Sequence, residues 1–241
     1  MTTRVNELGL PIGAELPGWT TRPRPPRAAM QGRYCRVEPL DTGRHAAELH
    51  EANSLDREGR MWTYLFSGPF ASFDEYRAWL EAKQPSEDPL FFAFVDAATG
   101  RAVGLGSYLR IDPANGSIEV GHLQYSPLMQ RTVVATEAMY LMMKTAFELG
   151  YRRYEWKCDA LNARSRRAAE RLGFTFEGVF RQAVAYKGRN RDTAWFSIID
   201  SEWPMLDAAY RRWLDPANFD AAGRQATSLV EIRQQQRISR G

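Results

Sequence analysis

The stretch that decides the fold is residues 123–138, LQYSPLMQRTVVATEA, because it changes from strand to helix within a few residues. The apolar-rich segment 118–125 predicts a strand, and Pro127 ends it. From residue 134 onward, apolar residues recur at helical spacing until Gly150, which predicts a long helix. A strand entering a helix in this way leaves several backbone amides without an intrahelical partner. Those amides point at one place, which suits a phosphate or a pyrophosphate.

A second strand and helix follow directly along the chain. Residues 151–158, YRRYEWKC, predict a strand, and LNARSRRAAERLGF predicts a helix capped by Asn162 and stopped by Gly173. The first unit alone favours an ordinary packed domain, because strand–loop–helix units are common and this loop has no Gly-rich phosphate signature. Two helix N-termini at one end of a parallel or splayed strand pair favour an anion site instead.

The length and composition predict one domain with extensions. A chain of 241 residues with 44% hydrophobic residues can bury a substantial core. Cys35 and Cys158 are too few and too far apart for a disulfide framework or a thiolate metal site, so we expect a reducing compartment and no metal. No apolar run approaches eighteen residues and the N-terminus lacks a signal-peptide pattern, so we expect neither membrane insertion nor secretion, and a cytoplasmic location. A net charge of +3 is too mild to argue for nucleic acid.

The remaining segments surround this centre. Pro-rich residues 1–30 predict an extended arm, and polar residues 215–241 predict a loosely ordered tail. The aromatic stretch 61–69 contains Trp62, Tyr64 and Phe66, which either belong to the core, the favoured interpretation, or line a substrate mouth. KGRNRD (187–192) predicts a turn between the last two strands. Further predicted strands are 34–37, 91–96, 102–111, 117–125, 174–180 and 193–199, and further predicted helices are 41–52, 72–83 and 201–214.

This order of elements resembles the GNAT N-acyltransferase superfamily. The details resemble the branch that contains bacterial ribosomal-protein N-terminal acetyltransferases. The similar stretches are IEVGHLQYSP (118–127), QRTVVATEA (130–138) and, most specifically, NARSRRAAERLGF (162–174). The resemblance implies an α/β (α+β) fold: a mixed, mostly antiparallel sheet of about seven strands with splayed central strands, flanked by helices. It divides the chain into an arm (1–32), an acyltransferase domain (33–214) and a tail (215–241).

The resemblance also implies binding of acetyl-CoA or another acyl-CoA, and direct transfer of the acyl group to an amine acceptor. By position, Leu123, Gln124 and Tyr125 pair with the pantetheine arm, while Asn162 and Ser165 lie near the sulfur. The amides implied to bind the pyrophosphate are those of Gln130, Arg131, Thr132, Val133, Val134, Ala135 and Thr136. Two positions depart from the pattern: Val133 stands at the loop's usual glycine, and Ala169 stands where many members have a tyrosine acid. The resemblance then implies that Ser165 takes the tyrosine's role as the acid, as in the similar branch.

The chemistry of acyl transfer assigns roles to a few residues. The Ser165 hydroxyl suffices to support a departing thiolate of pKa about 8.5, and a main-chain N–H near Leu123 or Gln124 is the expected oxyanion donor. Glu119 is the first candidate for the base and His122 the second. Each has an alternative role, Glu119 as an ion-paired strand residue and His122 as a substrate-wall or packing residue. Three further polar residues either hold a polar substrate or form a solvated face: Glu155, Lys157 and Asp159.

The main hypothesis is therefore an acyl-CoA-dependent N-acyltransferase that acts on a protein N-terminus or a small amine. Succinyl-CoA is an alternative donor, because its carboxylate needs only a nearby arginine or lysine. A non-catalytic acyl-CoA-binding module is the alternative from another class, suggested by Val133 and the absent tyrosine. A nucleotide-phosphate enzyme is disfavoured because the loop has no Walker lysine and no acidic metal site. Whether the protein forms a homodimer stays open.

Overall fold

The computed structural model describes residues 4–238, which contain ten strands and six α-helices. The strands are β1 (Arg4–Val5), β2 (Pro11–Ile12), β3 (Met30–Gln31), β4 (Cys35–Pro39), β5 (Leu90–Asp96), β6 (Ala102–Asp112), β7 (Ser117–Tyr125), β8 (Arg153–Asp159), β9 (Thr175–Tyr186) and β10 (Arg189–Ile199). The helices are α1 (Thr42–Ser54), α2 (Phe73–Lys83), α3 (Val133–Glu148), α4 (Ala163–Leu172), α5 (Trp203–Trp213) and α6 (Leu229–Ile238).

Eight of the strands form one mixed sheet in the order β3-β4-β5-β6-β7-β8-β10-β9. Every neighbouring pair is antiparallel except β7 and β8, which run parallel. One apolar cluster packs α3 and α5 against one face of the sheet, and a second packs α1 and α2 against the other face. The predicted α/β fold with a mostly antiparallel sheet is confirmed.

The two central strands separate toward their C-terminal ends. Their pairing covers only Ser117–Val120 and Arg153–Trp156, although β7 continues to Tyr125 and β8 to Asp159. His122, at a positive φ of 52°, lies where the register between β6 and β7 shifts, which is the pattern of a β-bulge. Gly106 lies on the opposing strand, where an added Cβ would approach Phe94 to 2.5 Å. A small residue is therefore required beside the bulge, which explains the glycine in the middle of that strand.

Glu137 of α3 fixes the first strand of the domain. Its carboxylate accepts hydrogen bonds from the backbone amides of Arg33 (3.0 Å), Tyr34 (2.5 Å) and Cys35 (2.6 Å). The side chain is 4% exposed, so these charge-assisted bonds form away from water. The T-E-A stretch at 136–138 thus includes a residue that joins α3 to the chain before β4.

The C-terminal segment is more ordered than its polar sequence predicted. Residues 229–238 form α6, which packs against α4 and α5 and buries Leu229 and Ile232 at 1% exposure each. The prediction of a loose tail is wrong for 215–238, because two apolar residues at helical spacing suffice to dock a short helix on an existing apolar surface. Residues 239–241 lie outside the described part of the chain, as do residues 1–3 of the predicted arm.

The last hairpin also differs from the prediction. The turn between β9 and β10 contains only Lys187 and Gly188, both at positive φ, so most of the predicted turn KGRNRD belongs to β10. The helix after this hairpin begins at Trp203 without a side-chain cap, which corrects the predicted start at Ser201.

Candidate functional site

A cleft of about 1720 Å³ occupies the gap where β7 and β8 separate. Its walls include the N-terminal ends of α3 and α4, the segment 60–67, the hairpin β9–β10 and the segment 213–225. Thirteen of the fourteen predicted site residues contribute to its lining; Val134 is the exception, since its side chain belongs to the core. The structure thus brings together residues that lie as far apart in sequence as Glu119 and Ser165.

The N-terminus of α3 has open backbone amides at the cleft. Thr132 caps the helix, and its Oγ1 accepts from the amide of Ala135 at 3.4 Å. The amides of Gln130 and Thr132 already donate to the carbonyls of Ser126 and Met129, so they are occupied. At this helix start, the amides of Arg131, Val133 and Val134 have no acceptor within residues 4–238. Open amides at a helix start favour an anion.

The left-handed backbone position of this loop falls on Arg131, whose φ is 62°. Val133 is already the first residue of α3 and has no positive φ. A β-branched side chain therefore costs no backbone strain there. The departure from the glycine pattern does not disturb the geometry of the helix start.

The N-terminus of α4 places Ser165 beside β8. Asn162 caps the helix by accepting from the Ser165 amide at 3.1 Å. The Ser165 hydroxyl accepts a hydrogen bond from Trp156 Nε1 at 3.0 Å. Burial raises the pKa of the neighbouring Cys158 thiol, against the opposing effect of its hydrogen bond to Ser165. Ser165 is thus held between two buried side chains at the cleft wall, and its one hydroxyl hydrogen can be directed either to Cys158 or to a group in the cleft.

The edge of β7 that faces β8 is unpaired along residues 121–125. On its other edge, Gln124 and Tyr125 lie opposite Leu105 and Gly104 of β6. The Gln124 side chain is buried and accepts from the Tyr76 hydroxyl at 3.1 Å, so it contributes to packing and its backbone lines the cleft. The Tyr125 hydroxyl is buried and has no hydrogen-bond partner within residues 4–238. An unpaired strand edge suits an extended, amide-bearing ligand.

A group of arginines lies along the same part of the cleft. Arg164, Arg167 and Arg171 follow each other at intervals of three and four residues on α4, so they share one helix face. Arg131 and Arg224 also line the cleft. Sequence reasoning missed the four of these outside the α3 loop, although the i, i+3, i+7 spacing on α4 was a signal that predicts a cationic face.

Glu119 is buried in a chain of ion pairs. Its side chain is 4% exposed, and Oε2 lies 2.7 Å from Arg110 and 2.8 Å from Lys157. Lys157 also contacts Glu155 at 2.8 Å and lies over the Trp195 ring. Burial raises the pKa of Glu119, while Lys157 and Arg110 oppose this effect. Lys157 is only 7% exposed, so the alternative of a solvated face is wrong for this group.

His122 sits at the bulge and packs against Phe91, with 5.1 Å between the ring centroids. Its Nδ1 lies 2.8 Å from the Ser107 hydroxyl. Burial, followed by the charges of Lys83 and Arg110, lowers the pKa of His122 from 6.5 to about 4. The imidazole is therefore neutral near pH 7.

The aromatic segment divides between the two interpretations left open for it. Trp62 is 6% exposed and belongs to the core cluster under α1 and α2, whereas Tyr64 and Phe66 line the cleft. Lys187 holds this segment in place, since its ammonium donates to the carbonyls of Trp62 (2.9 Å) and Gly68 (2.6 Å). The hairpin β9–β10 and the segment 60–69 thus close one side of the cleft together.

The described residues contain no group of three or more His, Cys, Asp or Glu that could hold a metal ion. Among the helices of residues 4–238, none is long and apolar enough to span a bilayer.

Comparison with known proteins agrees with this geometry. A family model described as an acetyltransferase (GNAT) domain matches residues 36–175. The chain is similar to a GCN5-related N-acetyltransferase from Brucella melitensis, with 52% identity over 91% of this chain and 100% of the other and a TM-score of 0.89. It is also similar to a probable GNAT-family acetyltransferase from Chromobacterium violaceum, with 42% identity, 81% and 98% coverage and a TM-score of 0.76.

A ribosomal L7/L12 alpha-N-protein acetyltransferase shares the fold, with a TM-score of 0.61 at 20% identity over 71% of this chain and 93% of the other. Among curated proteins, none matches the chain. The family match covers more than half of the 241 residues, and the splayed strands and open helix starts occupy the matched region. The chain belongs to the GNAT acetyltransferase family.

Proposed function

We propose that this protein transfers an acetyl group from acetyl-CoA to a primary amine, by direct attack of the amine while both substrates are bound. The observation that carries the proposal is the gap between β7 and β8, which joins open amides at the start of α3 to Ser165 at the start of α4. A phosphorylated carrier has charge-compatible donors at one end of this gap and a hydroxyl at the other. The family membership supports the same conclusion.

The residues present fit the carrier. The amides of Arg131, Val133 and Val134 would receive the pyrophosphate, and the arginines of α4 and Arg131 supply compensating charge. The unpaired edge of residues 123–125 would hold the pantetheine amides as an added strand. The Asn162 oxygen caps α4, and its Nδ2, which has no acceptor within residues 4–238, can donate to a ligand in the cleft that Asn162 lines.

Ser165 supports the departing thiolate in this proposal. Its oxygen accepts from Trp156, which orients the hydroxyl hydrogen away from that ring. A thiol of pKa about 8.5 needs only weak acid assistance, so a hydroxyl worth about 10- to 100-fold is sufficient. A main-chain N–H near Leu123 or Gln124 would stabilise the oxyanion, beside the bulge at His122. Most of the acceleration comes from holding both reactants in place.

Glu119 remains our first candidate for the base, with His122 second. Oε2 of Glu119 lies 2.7 Å from Arg110 and 2.8 Å from Lys157, so both cations contact the carboxylate that would accept the proton. A burial-raised pKa makes a carboxylate a better proton acceptor, directly or through a water. His122, neutral near pH 7, is a weaker base because its pKa is about 4.

The test measures thiol release and product mass with acetyl-CoA and succinyl-CoA across a panel of peptides and small amines. We expect acetyl-CoA to support turnover, and Ser165→Ala to lower kcat about 10- to 100-fold with little change in the Kd for acetyl-CoA. The exposed Ser201→Ala is the matched control. Higher turnover with succinyl-CoA would move the proposal to that donor. Tight acetyl-CoA binding with no turnover on any amine above the Ser165→Ala rate would identify a binding module.

A further inference from the structure

Arg191 of β10 is a buried cation that forms no ion pair with the part of the chain that the structure describes. The residue is 8% exposed and lines the cleft. No carboxylate within residues 4–238 lies within 4.0 Å of its guanidinium, and its buried Nε has no hydrogen-bond acceptor there. Arginine stays charged at all accessible pH values, so the charge is buried as such. A buried, unpaired charge is costly, and a partner that arrives with a ligand would remove that cost.

Two aromatic rings hold the Arg191 guanidinium in place. Its Cζ lies 5.1 Å from the Phe66 ring centroid and 5.9 Å from the Tyr186 centroid. Cation–π contacts of this kind fix the plane of the guanidinium but leave its N–H groups free to donate. The Arg191 guanidinium is thus oriented before any ligand binds, so less side-chain entropy is lost on binding.

The other charged groups on this face of the sheet already have partners. Lys157 and Arg110 are neutralised by Glu119, and Lys157 also by Glu155. Asp159 accepts from the Tyr186 hydroxyl and from the Leu161 amide, each at 2.8 Å. Of the three cations Arg110, Lys157 and Arg191, only Arg191 has no carboxylate within 4.0 Å in residues 4–238, while the donors that Asp159 accepts from are neutral.

Neighbouring residues of the same strand add unused donors. Thr193 Oγ1 and Trp195 Nε1 are buried and have no hydrogen-bond partner within the described chain, and both residues line the cleft. Together with Arg191 they follow each other at intervals of two along β10, so they share one face. An indole N–H and a guanidinium can only donate, and a hydroxyl can do so as well. A wall of donors complements an acceptor-rich, anionic group.

The strand register places Arg191 beyond the C-terminal end of β8. Trp195 lies under Lys157 on the face opposite Ser165 and Cys158. Thr193 pairs with Asp159, the last residue of β8, and Arg191 lies two residues further, about 7 Å beyond that strand end. An acetyl group is uncharged and cannot compensate Arg191, so in the proposed reaction the anion belongs to the second substrate.

Resting on the proposed function, we propose that Arg191 binds a carboxylate of the acceptor, so that the preferred substrate is an amine with a carboxylate a few atoms from the reacting nitrogen. A free amino acid and a peptide with an acidic first residue both offer this chemistry. The bidentate geometry of a guanidinium fork suits a carboxylate.

The test compares acceptor pairs that differ only in the carboxylate: amino acids with their amides, and Asp-initiated peptides with Asn-initiated ones, all with acetyl-CoA. We expect the wild type to prefer the carboxylate form in kcat/KM, and Arg191→Gln to lower kcat/KM for that form about 30- to 1000-fold. Arg191→Lys should retain part of the preference, because it keeps the charge but loses the fork. Whichever pair shows the larger preference identifies the source of the carboxylate.

Arg189→Gln is the matched control, because Arg189 is exposed, lies two residues away on the same strand and contacts the same Tyr186 ring at 5.8 Å. The Kd for acetyl-CoA and the urea midpoint report whether Arg191→Gln is folded and binds the carrier. A wild type that acetylates amines with equal kcat/KM for both members of each pair overturns the inference but leaves the transferase proposal intact. Loss in Arg191→Gln of a preference for succinyl-CoA over acetyl-CoA with a neutral amine also overturns it. No turnover by the wild type on any amine refutes the proposed function instead.

Discussion

Replacing His122 with asparagine should reduce the amount of stability that the protein loses on acidification. Burial, followed by the charges of Lys83 and Arg110, lowers the pKa of the imidazole to about 4 in the folded protein. Asparagine tolerates the positive φ of 52° at this position, and it retains a polar group near Ser107. The substitution therefore removes the titrating group without imposing new backbone strain.

The sign and the size of the effect follow from linkage. The unfolded chain takes up the proton near pH 6.5, whereas the folded protein does so only near pH 4, so the unfolded state binds more protons in between. Above pH 6.5 the imidazole is neutral in both states and the free energy of unfolding is unaffected. As the pH falls toward 4, protonation of the unfolded state lowers the free energy of unfolding. The gap between the two pKa values corresponds to about 3 kcal/mol by pH 4.

The assay is urea unfolding of the wild type and His122→Asn between pH 7 and pH 4, followed by tryptophan fluorescence. We expect the difference in free energy of unfolding between the two proteins to shift by about 3 kcal/mol in favour of the variant as the pH falls. Other titrating groups are common to both and cancel. A difference that stays constant with pH would refute the reasoning, as would an NMR resonance of His122 that titrates near 6.5. Near pH 7 the variant should keep most of its activity, because a neutral imidazole with this pKa is a poor base.

Three further substitutions test other parts of the structure. Glu137→Gln should cost about 2–3 kcal/mol in urea unfolding, because an amide replaces a carboxylate that accepts three backbone N–H groups; exposed Glu148→Gln, on the same helix, should cost under about 0.5 kcal/mol. Lys187→Met should raise the KM for the amine with little change in the Kd for acetyl-CoA. The carbonyls of Trp62, Ser67 and Gly68 lose the donor that holds this segment at the cleft wall, and an unchanged KM would contradict that role of Lys187. Arg131→Gly should be about 1 kcal/mol more stable than Arg131→Ala, because φ is 62° there, while both should bind acetyl-CoA more weakly in titration calorimetry.

Local sequence signals located most of the helices, because helix starts depend on groups a few residues apart. Asp41, Ser72 and Asn162 each cap the helix that they were predicted to begin. Ser201 does not cap α5. Glu202 takes the cap position instead and accepts the Ile199 amide at 3.0 Å, so the end of β10 sets where that helix begins.

Sequence patterns did not predict the elements whose structure depends on contacts with residues distant in the chain. KGRNRD was predicted as a turn because its glycine and polar residues are typical of turns. Its last four residues instead belong to β10, where Arg189–Arg191 pair with β9. That interpretation concealed Arg191, since a turn residue would be solvated. The C-terminal helix was missed for a similar reason, because its stability comes from Leu229 and Ile232 packing on α4 and α5.

The sequence by itself determined the order of the elements from β4 to α5, the two helix starts that face the cleft and the position of Ser165 at the start of α4, because each depends on spacing within one segment. Only the tertiary structure decided which charges are neutralised. It paired Glu119 with Arg110 and Lys157 from two other strands, and it left Arg191 buried with no carboxylate of the described residues within 4.0 Å. Burial and pairing across strands arise from contacts distant in sequence, so no local pattern records them.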